Sequence, residues 1–348
     1  MNLIRLAAFL VALLTGAGCA NQLRGYTDLL KGEPSATVSH PGSRGVSITY
    51  LGVNGYLLRS GDTSLLVDPY FSRFPLRKIA LNAPLEPNPE AIAYVKEKAN
   101  LPARIDAYLV THCHFDHLYD VPVLQKELGG KVIVSRTGYH LCTASGVDPG
   151  DIISTSVGSV HRIGNATIEV LPASHDLVLG KVPYKGTIDE PFPAGSKPGR
   201  VKDWKLGTPM AFVIEMGGQR LYVESGGIVG STPPVRDLDL AILGVGVGKT
   251  DRYIDAVRTL KPRYVLASHQ DDFFTQASSG FHFNPLANFP AIVTAEKTEN
   301  LPGELVLMEY FNTWTLPDRP KVKPVEQEPS PILRFTAWLR GLLGSGGR

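Results

Sequence analysis

From Val46 onward the chain is built of short apolar runs punctuated by glycine, proline and asparagine. Val46-Ser47-Ile48-Thr49-Tyr50-Leu51 alternates, turns through Gly52 to Gly55, and returns as Tyr56-Leu57-Leu58. Ser64-Leu65-Leu66-Val67 follows and stops at Asp68-Pro69-Tyr70. Runs of this length between tight turns predict an antiparallel-rich sheet. Residues 71–90 are proline-rich and without period, so they predict a loop, and 90–99 predict a helix. The aliphatic run Ile105 to Val110 predicts a buried strand, and Asp120 reads as the N-cap of a helix reaching about Leu128, with Pro122 in its first turn. Further strands are expected at 131–135 and 166–171, a hairpin at 210–215 and 220–223 around Gly217-Gly218, and strands at 238–243 and 264–267. A helix at 251–260 separates the last two, residues 304–308 close the sheet, and the Gly-, Pro- and Lys-rich residues 180–207 form a long surface loop. Strands and helices alternating in both halves predict an α/β fold, a four-layer αβ/βα sandwich.

The ends of the chain read differently. Met1 to Arg5 is a short positive stretch, and Leu6 to Leu14 is apolar but too short to span a bilayer, the pattern of an export signal. Leu14-Thr15-Gly16-Ala17-Gly18-Cys19 resembles a bacterial lipoprotein signal, which implies residues 1–18 as signal peptide and Cys19 as the lipidated first residue; cleavage after Ala20 is the alternative. The chain is then expected to be exported and lipid-anchored, facing the periplasm or the cell surface. Residues 19–44 are polar and rich in Gly, Pro and Ser, as a tether would be, leaving 45–316 as the folded domain. The tail 317–348 is a Pro-rich spacer followed by Ile332, Phe335, Leu339, Leu342 and Leu343 at helical spacing, with Trp338, Arg334 and Arg340 among them. Such a segment suits a membrane surface or a helix docked on the domain. A formal charge of +2, with acidic and basic residues interspersed, excludes a nucleic-acid partner.

Candidate chemistry concentrates where the strand at 105–110 ends, in Thr111-His112-Cys113-His114-Phe115-Asp116-His117. Alternate side chains of an extended segment share a face, so His112 and His114 can meet one centre. Asp116 and His117 follow at the turn and can face a second. Cys113 points away from both and reads as a small buried residue. Neutral imidazoles with a carboxylate suit Zn²⁺ or a similar first-row ion.

His112-x-His114-x-Asp116-His117 resembles the HxHxDH signature of the metallo-β-lactamase superfamily, and the likeness extends over about residues 46–310. Leu206 to Glu215 and Leu238 to Gly246 look like the branch that holds N-acylphosphatidylethanolamine phospholipase D and L-ascorbate-6-phosphate lactonase. The resemblance implies that His175, at a strand end, is the third ligand of the first metal and His269 the last ligand of the second. It gives Asp68 a supporting place behind the metals, beside a plain turn role before Pro69. It also places Glu224, in Val223-Glu224-Ser225-Gly226, where the family has an aspartate bridging both metals; this stem is one methylene longer. The branch's histidine before the helix at 251 is replaced by Lys249-Thr250-Asp251, and its His-Trp-Gly by His269-Gln270-Asp271. His282 is either a proton donor to substrate or a packed residue among aromatics; His40, His140 and His161 read as structural.

Two cations about 3.5–4 Å apart bring a shared water towards a pKa of ~7. The expected activity is therefore hydrolysis by a dinuclear zinc-bound hydroxide, with Fe or Mn as other metals, of a small-molecule or lipid-like ester-type substrate: a phosphodiester, a phospholipid-like ester or a lactone. Asp116 and His282 are the candidate catalytic groups beside the metal set His112, His114, Asp116, His117, His175, Glu224 and His269. Two other readings stand beside it: an iron-dependent oxidoreductase on the same fold, and a non-catalytic lipoprotein that binds a partner.

Overall fold

The computed structural model describes residues 22–38, 44–178, 180–227, 235–246, 250–284 and 286–319. The signal segment with Cys19, His40, Lys249 and the tail from 320 lie outside the described residues. The contacts separate Met1–Pro317 from Asp318–Arg348, and the fold described is that of the first unit.

The first part of the chain supplies β1 (Glu33–Pro34), β2 (Ser47–Gly52), β3 (Gly55–Ser60), β4 (Thr63–Val67), β5 (Ala107–Leu109), β6 (Lys131–Val134) and β7 (Ile152–Ser154). Their connections include α1 (Leu76–Ala80), α2 (Pro89–Lys98), α3 (Phe115–Leu118), α4 (Val121–Leu128) and α5 (Arg136–Ala144). The second part supplies β8 (Val160–Ile163), β9 (Ala166–Pro172), β10 (Met210–Met216), β11 (Gln219–Val223), β12 (Leu240–Gly244), α6 (Thr250–Leu260), β13 (Tyr264–Ser268), α7 (Phe289–Thr298), β14 (Glu304–Val306) and β15 (Asn312–Thr315). One sheet runs β1-β15-β2-β3-β4-β5-β6-β7 and the other β14-β13-β12-β11-β10-β9-β8. Hairpins make β2, β3 and β4 antiparallel, as the opening strands predict, and β1 and β15 extend that half, while helical crossovers make β4 to β7 parallel, so the whole sheet is mixed.

Side-chain alternation explains the layers. In the first sheet Leu58, Leu65, Val67, Leu109 and Ile133 enter one buried cluster, shared with β9 to β13 and with α6 and α7. Their neighbours Leu57, Leu66, Tyr108 and Val132 enter a second cluster, with Ile92 and Val95 of α2, Leu124 of α4 and Leu141 of α5. Both faces of the sheet are covered, which is the four-layer sandwich the alternation of elements predicts.

Some expectations need correction. Residues 22–37 are not a free tether: Leu23 is buried in the first cluster, Glu33 and Pro34 pair with β15, and the Ser35 hydroxyl donates to Phe311 O. Within the loop expected at 71–90 sits α1, with Pro75 at its N-cap. Asp120 occupies the N-cap position of α4 but makes no capping bond. Its carboxylate instead accepts the backbone N–H of Phe71 and of Ser72, at 2.6 and 2.7 Å, and the Ser72 hydroxyl. Cys113 and Cys142 are both buried free thiols.

Candidate metal centre

The segment after β5 is held extended from both sides. Thr111 N–H donates to Asp68 Oδ1, Met210 N–H to Thr111 O, and Cys113 N–H to Leu206 O. Alternation then sends His112 and His114 to one side, while the Cys113 thiol turns to the Ser135 hydroxyl 3.2 Å away, where burial lifts it to about 12. At His114 the chain enters α3, whose first turn carries Asp116 and His117. His175 follows β9, and His269 follows β13 with a left-handed φ of 60° held by its N–H bond to Val53 O.

Two groups of donors result: His112, His114 and His175 in one, Asp116, His117 and His269 in the other, the donor atoms within each lying inside 4.8 Å of one another. The outward nitrogens show that the inward ones are free to bind a cation. His112 Nδ1 lies 3.3 Å from Thr111 Oγ1, His114 Nε2 3.0 Å from Pro183 O, His175 Nδ1 2.7 Å from Asp176 O, and His117 Nδ1 2.9 Å from Asp68 Oδ2. An imidazole that donates its outer N–H to oxygen presents a lone pair on its inner nitrogen. His112 Nε2 and His114 Nδ1 then face each other at 3.1 Å as two acceptors, an arrangement a cation satisfies. The donor set therefore fits a metal pair.

The electrostatics agree. Burial, reinforced by the neighbouring imidazoles, holds His112 well below its usual range and His114 at about 3, so both are neutral ligands. Burial lowers His175 as well. Around His117 burial is outweighed by Asp116 and Asp68, which lift it to about 10. The proton on His117 thus stands in for positive charge that two buried carboxylates demand. Asp116, opposed by burial but drawn down by His117 and His269, stays ionised.

Asp68 takes the supporting place. It is fully buried at a left-handed φ of 39°, and besides the Thr111 N–H and His117 it accepts Asn54 Nδ2 at 2.7 Å and the Thr111 hydroxyl at 2.5 Å. The turn before Pro69 and the support of the metals are one role.

Glu224 departs from expectation. Its carboxylate lies in neither donor group, accepting instead the backbone N–H of Gly227 and that of Gly244, the latter at 3.1 Å. Burial, opposed by those N–H groups, raises it to about 7. The longer stem turns into the backbone of its own loop at Gly227 and of the β12 end at Gly244, so this geometry gives the pair no bridge from Glu224. His282 is likewise not among the residues lining the cleft over the metals; its carbonyl accepts Asp272 N–H. His140 is buried on α5, and His161 on β8 bonds the Thr155 hydroxyl, in keeping with structural roles.

Several site residues carry no signal in a local reading of the sequence. Arg252 of α6 grips Asp176 and the Ser174 hydroxyl, the residues on either side of His175. Gly226 must lack a Cβ, which would lie 2.4 Å from Ser174 O. The cleft of about 250 Å³ over the donors is walled by Tyr184, Phe273 and Phe274, among others. Only the adjacency of Asp176 to His175, and of two phenylalanines to His269, hints at them.

Residues 47–269 match the family model described as "Beta-lactamase superfamily domain". A UPF0173 metal-dependent hydrolase of Thermus thermophilus is 28% identical over 240 residues, 66% of this chain and 85% of that protein. Among solved structures, the metallo hydrolase Igni18 of Ignicoccus hospitalis aligns with a TM-score of 0.50 at 17% identity, over 79% of this chain and 99% of that one. The CmlA β-hydroxylase aligns with a TM-score of 0.50 at 15% identity, over 78% of this chain and 54% of its own. Family match, fold and paired donor groups converge: the chain belongs to the β-lactamase superfamily, as a metal-dependent hydrolase with the metallo-β-lactamase fold.

Proposed function

We propose that this hydrolase uses two divalent cations, zinc foremost, to cleave an ester-type bond in a small or lipid-like molecule: a phosphodiester, a phospholipid-like ester or a lactone. The observation that carries the reading is that both donor groups open into one cleft. His112, His114 and His175 would hold one cation, and Asp116, His117 and His269 the other. Cations there would acidify water and polarise the substrate oxygen. The protein's own part is to place and protect these groups. Asp116 Oδ2, 3.2 Å from His269 Nε2, is an oxygen at the cleft floor that His117 and His269 keep ionised as a ligand. Tyr184, whose phenol burial keeps protonated, lines the opposite wall and offers a hydroxyl donor to a leaving oxygen.

The test is metal content with activity. Protein prepared without added metal is assayed by mass spectrometry, then screened against aryl esters, lactones and bis-aryl phosphodiesters before and after chelation. About two zinc per chain and chelator-sensitive turnover support the reading. Iron with no hydrolysis would favour oxidative chemistry instead, a reading supported by the thiolate-free donor set, which suits iron as well as zinc, and by the fold shared with a β-hydroxylase.

Export with a lipid on Cys19 belongs to the same proposal, on the strength of the leader and its Leu14 to Cys19 motif. A Cys19→Ala chain lacking residues 328–348 should leave the membrane fraction; its retention there would refute the anchor.

A further inference from the structure

The wall beside the second donor group is aromatic and fixed. The Phe273 ring meets the His269 ring edge-on at 5.0 Å, and Phe274 lies against Phe273 at 4.2 Å. Both phenylalanines are only half-buried, on a segment pinned at several points. Phe274 N–H and the Thr275 hydroxyl bond the Asp272 carboxylate at 2.9 and 2.6 Å. The buried Arg73 donates to the carbonyls of Asp272 and Thr275, and Gln276 donates to those of Ser72 and Arg73. Adjacent aromatics held half-open in place are an apolar surface kept for a ligand rather than a loop free to collapse.

Ile79 and Leu286 continue this wall, and no described lining residue is Lys or Arg. Leu177, between the lining residues Asp176 and Val178, is 41% exposed, and Leu81, two residues past Ile79, is 78% exposed. The cavity of about 250 Å³ leaves an apolar chain room beside the donor groups.

We propose that Phe273 and Phe274, with Ile79 and Leu286, form an acyl subsite, and that the substrate is a neutral ester or lactone carrying an apolar chain. The proposal rests on the hydrolase reading for its reaction, but the subsite can be tested without turnover. Alkyl hydroxamates chelate a metal pair whatever the enzyme cleaves, so acetohydroxamate, butanohydroxamate and octanohydroxamate are titrated calorimetrically into zinc-loaded protein. Burial of each methylene is worth about a fourfold gain in affinity at most. The expected result is a steep tightening along the series, with the octano-to-aceto affinity ratio at least tenfold smaller in Phe274→Ala and in Phe273→Ala. Both variants are first checked for an unchanged melting transition; Phe273→Leu and Phe274→Leu serve if alanine unfolds the loop. A flat series, absence of binding at any length, or a ratio unchanged in both variants overturns the subsite. If the series behaves as expected while aryl esters and lactones are not hydrolysed, the ester-and-lactone half of the proposal falls and the subsite stands.

Discussion

Asp68 offers the sharpest test of the metal centre, because it touches a proposed ligand and no substrate. Its two oxygens receive four donors: Thr111 N–H at Oδ1, and Asn54 Nδ2, the Thr111 hydroxyl and His117 Nδ1 at Oδ2. Asp68→Asn keeps the shape and removes the charge. Whichever way the amide is turned, its NH₂ points at one or more of these donors. In the milder orientation the oxygen keeps the three and the NH₂ opposes the Thr111 N–H, leaving one buried donor orphaned, worth about 1–3 kcal/mol. The effect on metal binding falls on His117, whose Nδ1–H loses a carboxylate partner and whose Nε2 becomes a poorer ligand. Loss of such a partner lowers metal affinity by about 10- to 100-fold, or about 1.4–2.8 kcal/mol.

His114 and His175 take their outer bonds from Pro183 and Asp176, and only the 3.3 Å contact of His112 with the Thr111 hydroxyl leads back to Asp68, so the larger loss belongs to the cation that His117 would hold. Competition with a chromophoric zinc chelator should resolve two affinities in the wild-type protein, with that of the Asp116, His117 and His269 group lowered more than the other in Asp68→Asn. Cobalt substitution supplies a second readout, since filling of the two groups changes the visible spectrum in separate steps. Two unaltered affinities in a folded Asp68→Asn protein would refute the reasoning, and equal loss at both sites would show that the fold rather than His117 had been disturbed.

Other consequences are independent of this one. Glu224 rises from 4.5 to about 7 on folding, so the folded protein holds its proton more tightly than the unfolded chain; the resulting stabilisation is present below pH about 4.5 and is lost as pH rises towards 7. The full effect is roughly 3 kcal/mol, so the stability of metal-free wild type relative to Glu224→Gln, from urea denaturation, should fall by up to that much between pH about 4.5 and 8; a constant difference would contradict it. Removing Asp271 by Asp271→Ala leaves the buried Arg73 guanidinium without its carboxylate 2.9 Å away, and should cost about 3–5 kcal/mol in the same measurement. Deleting residues 22–38 should lower the melting temperature by several degrees, because it uncovers the sites of Leu23 and of Tyr26, whose ring meets Phe283 and Phe289; a neutral deletion would restore the tether reading.

What the sequence disclosed and what it hid divide by range. His112, His114, Asp116 and His117 are legible because one strand end and one turn of helix fix their directions, and Asp68, His175 and His269 because the family resemblance marks positions just after β4, β9 and β13. Residues whose role depends on a distant partner were hidden. Asp120 has the type and position of a cap, yet the N–H groups of Phe71 and Ser72 claim its carboxylate across a gap of about fifty residues. Glu224 stands at the family's bridging position, but the N–H groups of Gly227 in its own loop and of Gly244 at the end of β12 claim its carboxylate. The change of the family's His-Trp-Gly to His269-Gln270-Asp271 looks in isolation like decay of the site. In the fold, Asp271 accepts Tyr50, the Val53 N–H, Tyr310 and Arg73, and Val53 O in turn receives the His269 N–H. Arg73 reaches that position only because residue 52 is glycine: a Cβ there would lie 1.8 Å from its Nη2. Gly52, Arg73 and Asp271 are therefore one device, spread over the chain, that carries a buried charge to the back of His269. The departure from the motif replaces a local means of holding that ligand with a long-range one, so a Gly52→Ala change, far from the metals in sequence, bears on the same histidine as Asp271→Ala.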